Sequence, residues 1–153
     1  VGKNGELFRF IKFRSMIVDA QKYQAEVWAN AADTGVNNKD KNDPRVTSVG
    51  RFIRKYSIDE LPQLLNVIKG DMSIVGPRPI QMTEFHELDQ TDLRRHLIKP
   101  GMTGLWQISG RSDTTWEERI QFDLDYVHQW SPGLDLAILL KTIKVVATGE
   151  GSY

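Results

Sequence analysis

Along the chain, apolar positions recur at helical spacing in several segments and alternate as in a strand in almost none. Two segments carry the strongest helical pattern. Thr115 to Trp130 opens with Thr115 as a cap, and Glu117 and Glu118 follow in the first turn, where acids oppose the helix dipole. Leu134 to Ala147 carries Leu134, Ile138, Leu139, Ile143 and Val146, with Lys141 and Lys144 among them. This amphipathic helix reads equally as core packing with a solvated rim or as a membrane-adjacent surface. Shorter helices are predicted for Met16 to Ala32, Arg51 to Tyr56, Leu61 to Ile68 (ending at Gly70) and Thr83 to His96, the last stopping near Lys99-Pro100-Gly101. Asn4-Gly5 is a two-residue turn signal, and the aromatic-rich Glu6 to Phe13 suits a short strand beside it. Residues 33–48 read as a long polar loop, Asp71 to Pro79 as a loop broken by Gly76, Pro77 and Pro79, and Gly101 to Gly110 as a loop or short strand. The expected fold is mainly α with a small β-hairpin, in one compact domain over residues 1–153.

Composition narrows the chemistry. The 153 residues suit one domain with a real core. The 20 Lys and Arg balance the 20 Asp and Glu, so net charge gives no reason to propose nucleic acid, and an anion site has to come from local clustering. With no cysteine, disulfides, thiolate nucleophiles and cysteine-bound zinc are excluded. His86, His96 and His128 lie far apart and fit no metal-ligand spacing. No stretch reaches the roughly 18 apolar residues that would span a bilayer. The chain opens at Val1 without an initiator methionine, and is expected to be a piece of a longer protein.

Ser57-Ile58-Asp59-Glu60-Leu61-Pro62-Gln63-Leu64 holds two adjacent carboxylates. Ser57 and Glu60 stand in the relation of a capping box, while Asp59 as cap would place Pro62 in the first turn, where a missing N–H costs little. Either way the acids lie at a helix start, which favours bound anions. Neighbouring helical residues point about 100° apart, so one acid can attack a phosphorus while the other reaches a metal ion. Lys12 and Arg14 are two residues apart and face one side if the strand continues, a pair suited to phosphate. Arg78, between Pro77 and Pro79, is held on stiff backbone and loses less entropy when it clamps an anion. Arg111, after the glycine-spaced Gly101 to Gly110, can meet a diphosphate or the uracil side of a nucleotide. Asp123 reads either as a distal metal-binding or positioning acid or as one half of a helix-surface salt bridge.

Lys12-Phe13-Arg14-Ser15-Met16, Asp43-Pro44-Arg45-Val46-Thr47, Gly50-Arg51-Phe52-Ile53-Arg54, Ser57 to Leu64, Gly70 to Pro79, Pro100 to Gln107 and Leu134-Asp135-Leu136 follow one another in this order. Together they resemble the bacterial sugar transferases, the polyprenyl-phosphate phosphoglycosyl transferases of the monotopic type, over nearly the whole chain. The resemblance implies transfer of a sugar-1-phosphate from a UDP-sugar to undecaprenyl phosphate, the first step of exopolysaccharide, capsule or O-antigen synthesis. It also implies Mg2+ (or Mn2+), with Asp59 as a nucleophile that carries a covalent phosphosugar and Glu60 on the metal. Lys12, Arg14 and Arg78 are implied phosphate contacts, Arg111 a nucleotide contact and Asp123 a second metal residue. The implied partners are UDP-sugar, undecaprenyl phosphate and a membrane lipid surface, at the cytoplasmic face of the bacterial inner membrane, with this stretch itself soluble. The re-entrant membrane helix that the resemblance implies is expected just before the residues that open this stretch, and within it Pro132-Gly133 stands where the family usually has an aromatic pair after Trp130-Ser131. Residues 19–44, between the shared motifs, are where choice of sugar is expected to lie. A soluble metal-dependent nucleotide-sugar hydrolase and a non-catalytic sensing module are the alternative readings.

Overall fold

The computed structural model describes residues 1–23, 43–110 and 114–149. Helices dominate. They are α1 (Ser48–Lys55), α2 (Leu64–Lys69), α3 (Met82–Phe85), α4 (Trp116–Gln129) and α5 (Pro132–Thr148), joined by several 3-10 stretches. Two three-residue strands, β1 (Ser73–Val75) and β2 (Gly101–Thr103), pair in parallel, with Ser73 opposite Gly101 and Val75 opposite Thr103. Parallel pairing requires a crossover, and residues 76–100 supply it.

The core forms where the α4–α5 pair meets this small sheet. Val75, Tyr126 and Ile138 are its buried centre, with Ile98, Leu105, Ile108, Leu134 and Leu139 packed round them. The Thr115 hydroxyl accepts from Glu118 N while Glu118 Oε2 accepts from Thr115 N, so α4 starts with the expected cap. Ser131 Oγ accepts from Leu134 N and Pro132 occupies the first turn of α5, where proline is tolerated. The Tyr126 hydroxyl donates to Asp135 Oδ1 at 2.7 Å and fastens the two helices. On α5, Leu134, Ile138 and Leu139 turn to the core, while Leu136, Leu140 and Ile143 stand exposed. One side of the helix therefore packs into the core, and the other leaves apolar side chains exposed.

The mainly helical expectation is met, but the β element is not a hairpin. Lys3–Gly5 forms a 3-10 turn with Asn4 at φ 55°, and Gly2 N donates to Glu6 O at 2.8 Å. The segment after it meets α2 instead of a strand. Asn66 accepts from Ile11 N through Oδ1 (3.2 Å) and donates to Arg9 O through Nδ2 (2.8 Å). One buried amide thus does for this segment what a partner strand would do. The helix expected over Thr83 to His96 is also divided. Asp89 Oδ1 accepts from Thr91 N (2.6 Å) and Asp92 N (2.8 Å), a local bond pattern that competes with helix and restarts the chain as the 3-10 stretch Asp92–Leu97. Of the expected Met16 to Ala32 helix, Met16 pairs as an antiparallel bridge with Val46 and Ala20–Tyr23 is 3-10; its remainder lies outside the described residues.

The strands approach so closely that side chains have no room between them. A Cβ on Gly101 would stand 2.1 Å from Gly76 N, against backbone that cannot step aside. Gly101→Ala is therefore expected to lower the free energy of unfolding by about 1–3 kcal/mol, the usual range for overpacking. Urea denaturation of the variant beside the parent checks this, and an unchanged midpoint would show that the crossover can shift to admit a methyl group.

Candidate active site

Asp59 lies in the 3-10 stretch Ile58–Gln63 and is 6% exposed. Neither expected cap forms: Ser57 takes φ 53° with no side-chain cap bond, and Asp59 lies inside the turn. The left-handed Ser57 redirects the chain after α1 so that the acid points inward. Phe13 N donates to Asp59 O at 2.9 Å, which brings the Lys12 segment alongside. Arg54, in the last turn of α1, donates through Nε to Ser15 Oγ at 2.8 Å and approaches from the other side. Arg78 completes the set, its Nη1 2.9 Å from Glu60 Oε1.

These neighbours set the electrostatics. Burial pushes the Asp59 carboxyl above its ordinary pKa, the adjacent Glu60 pushes it further, and Lys12 and Arg54 oppose both. Lys12 keeps surface open to solvent, yet protein packed round it removes enough water to lower its pKa; Arg78 adds to this and Asp59 opposes it. Two anions side by side, with cations contributed by separated segments, form a site whose charge balance changes whenever a phosphate or a cation enters.

Next to this group lies a cavity of about 580 Å³. Lys12 and Arg78 border it, and Arg95, Arg119, Trp106 and Asp123 form its deeper wall. Its titratable side chains are four cations (Lys12, Arg78, Arg95, Arg119) against two carboxylates (Glu84, Asp123), a balance that favours an anionic occupant. The Arg78 and Arg119 guanidinium carbons lie 6.0 and 5.0 Å from the Trp106 ring centroid, which fixes the planes of both forks. Asp59 and Glu60 stand behind Lys12 and Arg78 and do not line the cavity.

The structure thus brings Asp59, Glu60, Lys12 and Arg78 together. Arg14 is exposed and is not among the cavity-lining residues, because Ser15 rather than Arg14 turns inward to meet Arg54. Arg111 lies outside the described residues, as does most of the segment expected to select the sugar. Asp123 is 1% exposed and paired with Arg95, whose Nε lies 3.0 Å from Asp123 Oδ2; burial raises its pKa to about 6 against the pull of Arg95. Among the described residues no three His, Cys, Asp or Glu side chains converge as a preformed metal cage. Sequence reading missed Arg54, Arg95 and Arg119. The Arg94-Arg95-His96 run is a visible signal for the second, since consecutive cations and a histidine are unusual beside a core; nothing local marks the other two.

A family model described as bacterial sugar transferase matches residues 1–149. The chain belongs to that family. It is 52% identical, over its whole length, to the undecaprenyl-phosphate galactose phosphotransferase of Salmonella typhimurium, of which it covers 33%. It is 41% identical over 99% of its length to the UDP-glucose:undecaprenyl-phosphate glucose-1-phosphate transferase of Escherichia coli K12, covering 32% of that protein. With the exopolysaccharide production protein ExoY of Rhizobium meliloti the identity is 45%, over all of this chain and 70% of the relative. The chain therefore spans about a third of the Salmonella and Escherichia proteins.

The charge arrangement predicts opposite responses of the Asp59 carboxyl to its two neighbours. Lys12→Met removes a cation that lowers the Asp59 pKa, so the pKa rises; Glu60→Gln removes an anion that raises it, so the pKa falls. A carbon-detected NMR titration of the Asp59 carboxyl carbon in each variant reads both signs. No movement in either variant would show that burial alone governs Asp59.

Proposed function

We propose that the intact protein transfers a sugar-1-phosphate from a UDP-sugar to undecaprenyl phosphate, with Asp59 as the nucleophile. The observation that carries this is the buried Asp59 beside Glu60, ringed by Lys12, Arg54 and Arg78, in a chain of the sugar transferase family. An Asp59 oxygen forms a bond to the sugar-side phosphorus, and the bond from that phosphorus to the UMP oxygen breaks, UMP leaving with the electron pair. An oxygen of the lipid phosphate then attacks the same phosphorus and the aspartyl bond breaks, restoring the carboxylate. Division into two displacements lets each proceed with a good leaving group.

The side chains present do most of this by placement. Lys12 and Arg78 border the cavity and meet the diphosphate as charge moves onto its oxygens, where phosphoryl transfer gains its largest assistance. Arg54 lowers the Asp59 pKa and keeps more of it ionised. Magnesium characteristically takes one or two carboxylates together with substrate phosphates and water. The crowding of Glu60 on Asp59 suits such an ion, and Glu60 is the side chain we assign to it; when bound, it supplies positive charge to the phosphates.

Membrane contact fits the surface. Leu136, Leu140 and Ile143 form an exposed stripe on α5, and Leu61, Leu65 and Ile68 a second exposed set across the Asp59 turn and α2. No helix among the described residues is long and apolar enough to cross a membrane. Lateral contact of these faces with lipid, at the cytoplasmic side of the inner membrane, brings a polyprenyl phosphate to the site.

In the intact protein, sustained UMP release from a UDP-sugar is expected only when undecaprenyl phosphate is supplied. Equal release without lipid selects the hydrolase reading instead. Asp59→Asn is expected to remove the radiolabelled sugar-phosphate adduct and to lower turnover on the order of a thousandfold or more. An adduct that persists in Asp59→Asn moves the nucleophile to another residue.

A further inference from the structure

Arg95 and Asp123 are among the most enclosed charged side chains of the molecule, 2% and 1% exposed. Taking both charges out of water costs more than their attraction reliably returns, so a buried pair of this kind has some other use. Its third bond shows one. Arg95 Nη2 binds Asp123 Oδ2 and also donates to Arg78 O at 2.7 Å. Arg95 therefore grips the backbone of Arg78, whose guanidinium pairs with Glu60.

The alternative use of Asp123, as a metal ligand, fits this arrangement poorly. Oδ2 is taken by Arg95 through Nε and Nη2. Among the described residues, Oδ1 is enclosed without a hydrogen-bond partner, and so is Arg95 Nη1. A divalent ion on Oδ1 would sit beside the Arg95 guanidinium, a fixed charge of like sign already bonded to the same carboxylate. Glu60 is the more open of the two carboxylates, 22% against 1% for their side chains.

We propose that Arg95 is a positioning residue for the transferase centre, and that Asp123 is its counter-ion and not a metal ligand. Arg95 acts through the Arg78 carbonyl: it fixes the loop after β1 so that the Arg78 guanidinium meets Glu60 beside Asp59. The kinetic half of this rests on the transferase reading above; the metal half does not.

A double-mutant cycle in the intact protein tests the first half. Arg95→Lys keeps a cation but loses the guanidinium's planar fork of donors, and kcat is expected to fall roughly 10- to 100-fold, the scale of an ångström-level misplacement. In an Arg78→Lys background the same change is expected to cost less than about threefold, because the side chain it positions is already altered. Additive losses overturn the proposal. Inactivity of the unmutated protein with every UDP-sugar and lipid would instead sink the transferase reading. Electron paramagnetic resonance of Mn2+ in the presence of UDP tests the second half, and decides even if Arg95→Lys does not fold. Asp123→Asn is expected to bind Mn2+ within about threefold of the parent and Glu60→Gln at least tenfold more weakly. A tenfold loss in Asp123→Asn makes it a ligand after all; if the parent binds no Mn2+, Asp123 has no metal to hold and the assignment stands.

Discussion

A carboxylate placed next to another carboxylate and then removed from water is unstable in its charged form, and the neighbourhood of Asp59 is organised round that constraint. Burial and Glu60 both favour protonation of Asp59, and Lys12 and Arg54 resist. Arg78 takes up the Glu60 charge directly. The three cations come from the segment after the N-terminal turn, from the end of α1 and from the loop after β1. Each is carried by a different local structure, so the folded arrangement and not the local sequence keeps Asp59 usable. Loss of any one cation removes positive charge that offsets the two carboxylates in a place where solvent screens poorly.

The cations are positioned by backbone more than by one another. Phe13 N bonded to Asp59 O sets the height of Lys12 over the turn, and Asn66 ties the preceding residues to α2. Arg78 depends on a longer chain of contacts. Gly76 N donates to Thr103 O and Gly101 N donates to Pro77 O, so the loop is stitched to β2 on both sides of its turn. That stitching needs the glycine contact between Gly76 and Gly101, which no side chain could occupy. The small parallel sheet has little area to stabilise the fold, but it aims Arg78 at Glu60. Glycines that look like loop punctuation thus belong to the same device as the charged site.

How much of this was legible in sequence follows from which contacts are local. The Asp59-Glu60 pair, Lys12 and the proline-flanked Arg78 were visible because adjacency and backbone stiffness are written in consecutive residues. The cap of α4 at Thr115 was visible for the same reason. Arg14 does not follow Lys12 to the cavity wall, because the segment's partner is the Asn66 side chain, and without a ladder the period of two has no force. The hairpin failed with it: Asn4-Gly5 makes its turn, but a turn alone does not supply a second strand. Arg54 and Arg95 went unseen because their roles depend on Ser15, Asp123 and Arg78, residues 17 to 39 positions away. The break at Asp89 was local and readable in principle, as an aspartate able to accept from two following N–H groups.

The opposed shifts of Asp59 and Lys12 say something further about the resting site. Burial raises the acid and lowers the base, which moves both toward neutrality, and each group's charge partly restores the other's. Their protonation states are therefore coupled, and a proton gained by Asp59 weakens the hold on the proton of Lys12. An arriving diphosphate breaks this balance in a definite direction. Its negative charge favours charged Lys12 and also, taken alone, protonated Asp59, which would silence a nucleophile. A cation between the diphosphate and the two carboxylates opposes that second effect, because it offsets the added negative charge where Asp59 feels it. The same cation relieves the Glu60 repulsion. If Asp59 is the nucleophile we propose, it gains in so crowded a place from a substrate delivered with positive charge attached, and Arg78, held from behind by a buried ion pair, is the fixed part of that charge.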